Sequence, residues 1–231
     1  MQKKIQIDLK KIKTLLPDAP GILRKDEYFN SAVLIPLLFL NGEYNLLFEK
    51  RSAQIRQGGE ICFPGGEADR LKDSSMLETA VRETCEELGL NRNQISVLGC
   101  IDTFVGSMGV TVDSYLSELK INSIGELNID KNEVEKVFSV PVSFFIQNPP
   151  EGYELNIEVH PFRTDENGRK VELFPARELK LPERYYNSWQ VRKHKVWVYK
   201  TGEGVIWGIT AALIKEVIRI ITKTLEPAVT K

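Results

Sequence analysis

The chain has 231 residues, 42% hydrophobic and 27% charged, enough to bury one good core and a small annex. Its 31 basic and 32 acidic residues leave a net charge of -1, so no overall field draws nucleic acid or anionic lipid, and any phosphate recognition must be local. Cys62, Cys85 and Cys100 lack C-x-x-C spacing and only His160 and His194 accompany them, which excludes a zinc pattern and fits a reducing cytoplasm.

The opening "MQKKIQIDLKKIKTLLPDAP" has neither an uninterrupted apolar core nor a small-residue cleavage site, so it does not read as a secretory signal. Ile5, Leu9, Ile12 and Leu16 recur at helical spacing with lysines between them. That stripe predicts an amphipathic helix ended by Pro17 and packed on its own domain, in preference to a membrane-surface helix. Residues 1–28 are therefore an N-terminal arm and residues 29–225 the main domain.

"AVLIPLLFL" from Ala32 is too short to cross a bilayer and, despite Pro36, reads as a buried strand. A second strand follows the tight turn expected at Asn41-Gly42. "EICFPGG" reads as a third strand running into a glycine turn at Gly65-Gly66. A helix is expected over 75–88, then strands at "ISVLGCIDTF", "TVDSYLSEL" and "KVFSVPVSFFI". Residues 148–203 form a polar, turn-rich insertion with strand candidates at "YELNIEVHPF", "KVELF" and "HKVWVYKT". The last helix runs from about Thr210 to Leu225, with Pro227 as its stop. Helices so spaced can cover both faces of the strands, giving an α/β sandwich around a mixed β-sheet.

The helix at 75–88 carries the chemistry. Leu77, Val81, Thr84 and Leu88 mark its inward face, Ser75 with Glu78 forms an S-x-x-E capping box, and Gly89 is the stop. Glu83 and Glu87 are neighbours four apart, with Glu86 beside them. Three glutamates on a helix face need no ligand when solvated; the adjacent glycine turn is what points to one. A Gly66 carbonyl beside three carboxylates is an all-oxygen set for a hard ion, Mg²⁺ or Mn²⁺. Arg82 is expected to pair with a helix carboxylate or with the loop before it.

"GG" followed by "RETCEELGL" resembles the Nudix box, in which helical carboxylates bind the metal. Arg82, Glu83, Glu86, Glu87, Gly89 and Leu90 fill their positions, with Thr84 in place of the first aliphatic. The first half departs from the box: the Gly66–Arg82 spacing is two positions longer, and Ser74 stands where the box has glutamate. Glu67, Asp69 or Asp73 would then supply the auxiliary carboxylate. "LLFEKRSAQIRQGGEICFPGG", residues 46–66, resembles the added signature of the coenzyme A pyrophosphatase branch, as do "EVEKVFSVPVSFF" and "GVIWGITAALI".

The resemblance implies a Nudix-like α/β/α sandwich and metal-dependent hydrolysis of the pyrophosphate of coenzyme A or its derivatives, giving 3′,5′-ADP and 4′-phosphopantetheine. It implies Glu83, Glu86 and Glu87 as catalytic and metal-holding groups with Gly66, and Arg51, Arg56 and Lys50 as substrate-phosphate contacts. The alternatives are a pyrophosphatase for ADP-ribose or another nucleoside diphosphate derivative, and a non-catalytic binding module. Expected partners are the nucleotide substrate, with neither nucleic acid nor membrane, and a homodimer is left open. Glu133 or Glu135 reaching the metal is weighed evenly against a capping box at "DKNE". Trp207 and Tyr115 are expected in the core, "KHK" at 193–195 as a solvated patch, and Cys62 and Cys85 as small buried hydrophobes.

Overall fold

A computed structural model describes residues 7–225, positions 70 and 108 excepted, so Ile5 and Pro227 lie outside the described residues. In chain order the elements are α1 (Leu9–Leu15), β1 (Phe29–Leu40), β2 (Glu43–Arg51), β3 (Ile61–Cys62), β4 (Gly65–Glu67) and α2 (Met76–Leu88). Next come β5 (Ile95–Gly106), β6 (Val110–Leu119), β7 (Val134–Pro141), α3 (Val142–Gln147), β8 (Glu151–Val159), β9 (Phe162–Thr164) and β10 (Lys170–Glu172). β11 (Trp189–Thr201), β12 (Gly204–Trp207) and α4 (Gly208–Leu225) complete the order.

The central seven-stranded sheet runs β3-β2-β1-β6-β5, with β4 also beside β1 and β7 beside β2. It is mixed: β1 and β6 are parallel and the other pairs antiparallel. The β1–β2 hairpin closes on Asn41 and Gly42, both at positive φ (54° and 88°), as a tight turn of that handedness requires. Pro36 falls between the β1 residues that pair β4 and those that pair β2. The Leu34 N–H points to that side, toward the Pro64 carbonyl, so by alternation the nitrogen of Pro36 faces the gap and no ladder bond is lost.

Strand alternation sorts the core into two layers. On one face Ala32, Leu34, Leu38 and Leu47 pack against Ala80, Val81 and Leu88 of α2. On the other, Ile35, Leu37, Leu46 and Phe48 meet Phe145 of α3 and Leu213, Ile214 and Val217 of α4. Phe48 is the hub of that layer, with ring centroids 4.9 Å from Phe63, 5.7 Å from Phe138 and 6.0 Å from Phe145. The arrangement is the α/β sandwich around a mixed sheet that the element pattern predicts.

Four expectations need correction. The N-terminal stripe does not pack on the domain: residues 7–20 are all exposed, Leu9 and Leu15 at 74%, because a two-turn helix with no facing element cannot bury its stripe. "VSFFI" is helix α3, not strand, since Val142 and Phe145, three apart, enter the core together from one helical turn. Trp207 is 48% exposed: Ile206 beside it is fully buried, and alternation along β12 turns Trp207 outward. Gly65-Gly66 is not a turn but the strand β4, paired with Ala32 and Val33. Tyr115 does pack against the α2 layer.

Residues 148–203 contribute β8 and all of β11, a long antiparallel pair whose β8 positions are nearly all exposed, and the β9–β10 hairpin. No helix among the described residues is long and apolar enough to cross a membrane.

Candidate metal centre

Helix α2 begins and ends where the sequence predicts. Ser75 Oγ accepts the N–H of Glu78 at 3.3 Å. The reciprocal arm of the capping box is not formed, because the Glu78 carboxylate faces Arg92 at 3.4 Å instead. Gly89 closes the helix at φ 65°, ψ 32° and donates to the Cys85 carbonyl. Thr84, standing where the motif has an aliphatic residue, is fully buried and satisfies its hydroxyl on the Ala80 carbonyl at 2.7 Å.

Packing of α2 over β4 sets the position of the carboxylates. The Gly65 N–H donates to Glu87 Oε2 at 2.9 Å, and Glu87 is only 2% exposed. Both glycines are needed for close approach. A Cβ on Gly65, at φ 148°, would stand 2.2 Å from the Ala32 carbonyl oxygen, and one on Gly66 would stand 2.5–2.8 Å from the Glu83 carboxyl atoms.

Glu133 completes the group from the turn before β7. That turn is held by Asp130, whose Oδ1 accepts the N–H of Asn132 at 2.9 Å. It is tied to the end of α2 by the Asp130 N–H on the Glu87 carbonyl (2.9 Å) and the Asn128 N–H on the Leu88 carbonyl (3.1 Å). Oxygens of Glu83, Glu87 and Glu133 consequently lie within 4.8 Å of one another. Glu133 is thus both a turn residue and a member of the cluster, while Glu135 faces away and pairs with Lys50 at 2.7 Å.

Arg82 organises the outer side. Its Nε and Nη2 form a fork on Asp73 at 2.8 and 2.9 Å, while Nη1 reaches Glu83 at 2.7 Å and Glu86 at 3.0 Å. Asp73 also accepts from the Thr79 hydroxyl and the Asp69 backbone. The Arg82 hydrogen bonds hold the Asp73 carboxyl well below the usual carboxylate range. Glu86 is 58% exposed in its side chain, set apart from the three clustered carboxylates by Arg82.

The inner side is acidic and dry. Burial, reinforced by Glu49, raises the Glu87 carboxyl, and burial likewise raises Glu83 against the pull of Arg82. Glu49 on β2 is fully buried; nothing in the sequence reading singled it out, because "EKR" reads as a charged strand end. Counting by two from buried Leu47 was the available signal.

The three basic candidates diverge. Arg51, half-buried, points Nε at the Arg56 carbonyl (3.2 Å) and Nη1 toward Glu49 (4.0 Å). Arg56 is exposed with its guanidinium 5.1 Å from the Phe29 ring centre. Lys50 lies on the opposite face of β2 from Glu49, paired with Glu135.

Three carboxylates converging at a glycine backbone that leaves no room for a Cβ form a hard-oxygen set, which fits a divalent cation. The fold and the site together define a mixed-sheet α/β sandwich with an acidic centre between one helix and the turn before β7. The NUDIX domain family matches residues 29–190, and the chain belongs to that family, whose hydrolases use divalent metal ions.

Similar curated proteins include the peroxisomal coenzyme A diphosphatase of Mus musculus, 35% identical over 153 residues, covering 62% of this chain and 63% of that protein. A Nudix hydrolase of Caenorhabditis elegans is 35% identical over 132 residues (54% and 53%). The mitochondrial coenzyme A diphosphatase of Mus musculus is 33% identical over 125 residues (53% and 59%). The chain thus spans 53 to 63% of the length of these relatives.

Proposed function

We propose that this chain hydrolyses the pyrophosphate bond of coenzyme A or a derivative, releasing 3′,5′-ADP and 4′-phosphopantetheine. The observation that carries this reading is the convergence of Glu83, Glu87 and Glu133 on the Gly65–Gly66 strand, in a chain similar to proteins named coenzyme A diphosphatases. A divalent cation, Mg²⁺ or Mn²⁺, supplies when bound the charge that polarises the phosphoanhydride and acidifies an attacking water.

The chain's own groups prepare that chemistry. Glu83, Glu87 and Glu133, with the Gly66 carbonyl, would hold the cation, and the Gly65 N–H keeps one Glu87 oxygen turned toward the strand. Arg82 fixes Glu83 from behind. Glu86, held by the same Nη1 of Arg82, is the outer carboxylate within a helix turn of the centre, on the side open to solvent and substrate. Arg56, exposed and free of an ion pair among the described residues, is the foremost cation for substrate phosphate; Arg51, turned toward Glu49, and Lys50, paired with Glu135, come after it. A cytoplasmic setting is part of this reading, although two of the relatives are named peroxisomal and mitochondrial.

The test is a substrate panel with Mg²⁺ or Mn²⁺: coenzyme A, its form lacking the 3′-phosphate, ADP-ribose, NADH and nucleoside triphosphates, with products identified by mass. The expected result is 3′,5′-ADP from coenzyme A. Turnover of ADP-ribose with coenzyme A untouched would replace this reading with the nucleoside diphosphate one, and binding without turnover of any compound would make the chain a binding module.

A further inference from the structure

Glu49 is a carboxylate with too few partners for its depth. It is 0% exposed, on a strand flanked by β3 and β7, where it pairs with Cys62 and Val137. Its Oε1 accepts only the Cys62 thiol at 3.3 Å, a weak donor, and Arg51 stands at 4.0 Å, beyond hydrogen-bond length. Its Oε2 has no hydrogen-bond partner among the described residues. A buried carboxylate left this way is strongly disfavoured in its charged form unless a cation meets it.

The direction of the side chain is set by the strand. Leu47 belongs to the layer under α2, so Glu49, two residues on, lies on that same face, where α2 brings Glu87. Exposure falls across the centre from Glu133, exposed, through Glu83, half-buried, to Glu87 at 2% and Glu49 at 0%. Burial raises both carboxyls, and the charge of Glu49 raises that of Glu87 further, as a nearby like charge does. The inner end therefore holds two acids, and its nearby cation, Arg51, stands 4.0 Å from Glu49.

We propose that Glu49 is a further metal-binding residue, its Oε2 joining Glu87 to hold divalent cation at the buried end of the centre. This rests on the metal-centre reading above and extends it inward by one strand. A role confined to the Cys62 hydrogen bond would leave Oε2, buried and without a partner among the described residues, unexplained.

The experiment is Mn²⁺ titration of the full chain without substrate, followed by electron paramagnetic resonance, for the unchanged protein, Glu49→Gln and Glu49→Thr, with melting temperatures measured in chelator and in Mn²⁺. The expected result is a loss of Mn²⁺ affinity of roughly tenfold or more, or loss of one bound equivalent, in both variants. The chelated Glu49→Gln protein should melt higher than the chelated unchanged protein, because an unpaired buried charge has gone, and should gain less from Mn²⁺. Unaltered Mn²⁺ affinity and number in both variants would overturn the inference whatever the melting temperature, and a lower one in both media would leave Glu49 a structural partner of Cys62. Absence of Mn²⁺ binding in the unchanged protein would overturn the metal centre itself, and Glu49 with it. Coenzyme A turnover is not read in this experiment, so failure of the substrate assignment is seen separately.

Discussion

Single side chains at the centre have separable jobs, and their substitution should show it. Glu83→Gln removes one anionic oxygen from the cluster without changing volume, so the fold should persist while turnover falls by about two orders of magnitude or more, as chelation should also cause. Comparable melting curves with kcat compared on the substrate found active would check this; near-normal kcat would remove Glu83 from the centre. Gly66→Ala is a steric version of the same test. Its Cβ would lie 2.5 Å from Glu83 Cδ, so Glu83 must turn away, and Mn²⁺ affinity should drop even though no ligand has been deleted. Arg56 is exposed and its guanidinium rests on the Phe29 ring without an ion pair among the described residues, so Arg56→Ala should leave stability within about 0.5 kcal/mol. If it meets substrate phosphate, kcat/KM on coenzyme A should nevertheless fall roughly ten- to a hundredfold. Arg51→Ala is the less clean variant, since Arg51 also braces the Arg56 carbonyl.

At the scale of the element, α2 is fastened to the loop before it by the Asp73–Arg82 fork. The altered first half of the motif meets the helix through this clasp: Arg82, Thr79 and the Asp69 backbone all donate to the one Asp73 carboxylate. Because the folded state lowers the Asp73 value below its ordinary 3.8, the clasp contributes its full stability above that pH, and the contribution is lost as pH falls below it. Asp73→Asn should cost roughly 2 to 3 kcal/mol at neutral pH. It should also flatten the decline of melting temperature below about pH 4, measured by calorimetry from pH 2 to 7. An acid limb as steep as in the unchanged protein would show that other carboxylates govern it.

Across the whole molecule, stability resides in the two layers against the sheet, while the arm and the β8 ribbon add little burial. Phe48→Ala empties the meeting point of Phe63, Phe138 and Phe145 and should destabilise by about 3 to 5 kcal/mol in denaturant titration. Leu15→Ser removes an apolar side chain that is 74% exposed and should change the same titration by no more than about 0.5 kcal/mol. A large effect of Leu15→Ser would mean that α1 finds a surface to pack on.

What the sequence alone determined follows from short-range rules. The turn at Asn41-Gly42, the limits of α2 at Ser75 and Gly89, and the proximity of Glu83, Glu86 and Glu87 are consequences of local backbone preference and a 3.6-residue period, which act over a few residues. Family membership was legible for the same reason, because the motif is one contiguous helix and its loop. Tertiary structure decided everything that depends on distant segments meeting. It chose Glu133 over Glu135, by tying the 128–130 backbone to the end of α2. It turned Gly65-Gly66 into a strand by pairing it with β1, and it sent Trp207 outward and α3 inward. Glu49 shows the limit most plainly: alternation along β2 fixes its face, but only the packing of α2, β3 and β7 around that face makes it a buried acid whose charge is felt by Glu87. Burial and charge proximity are properties of the assembled layers, and no local pattern contains them.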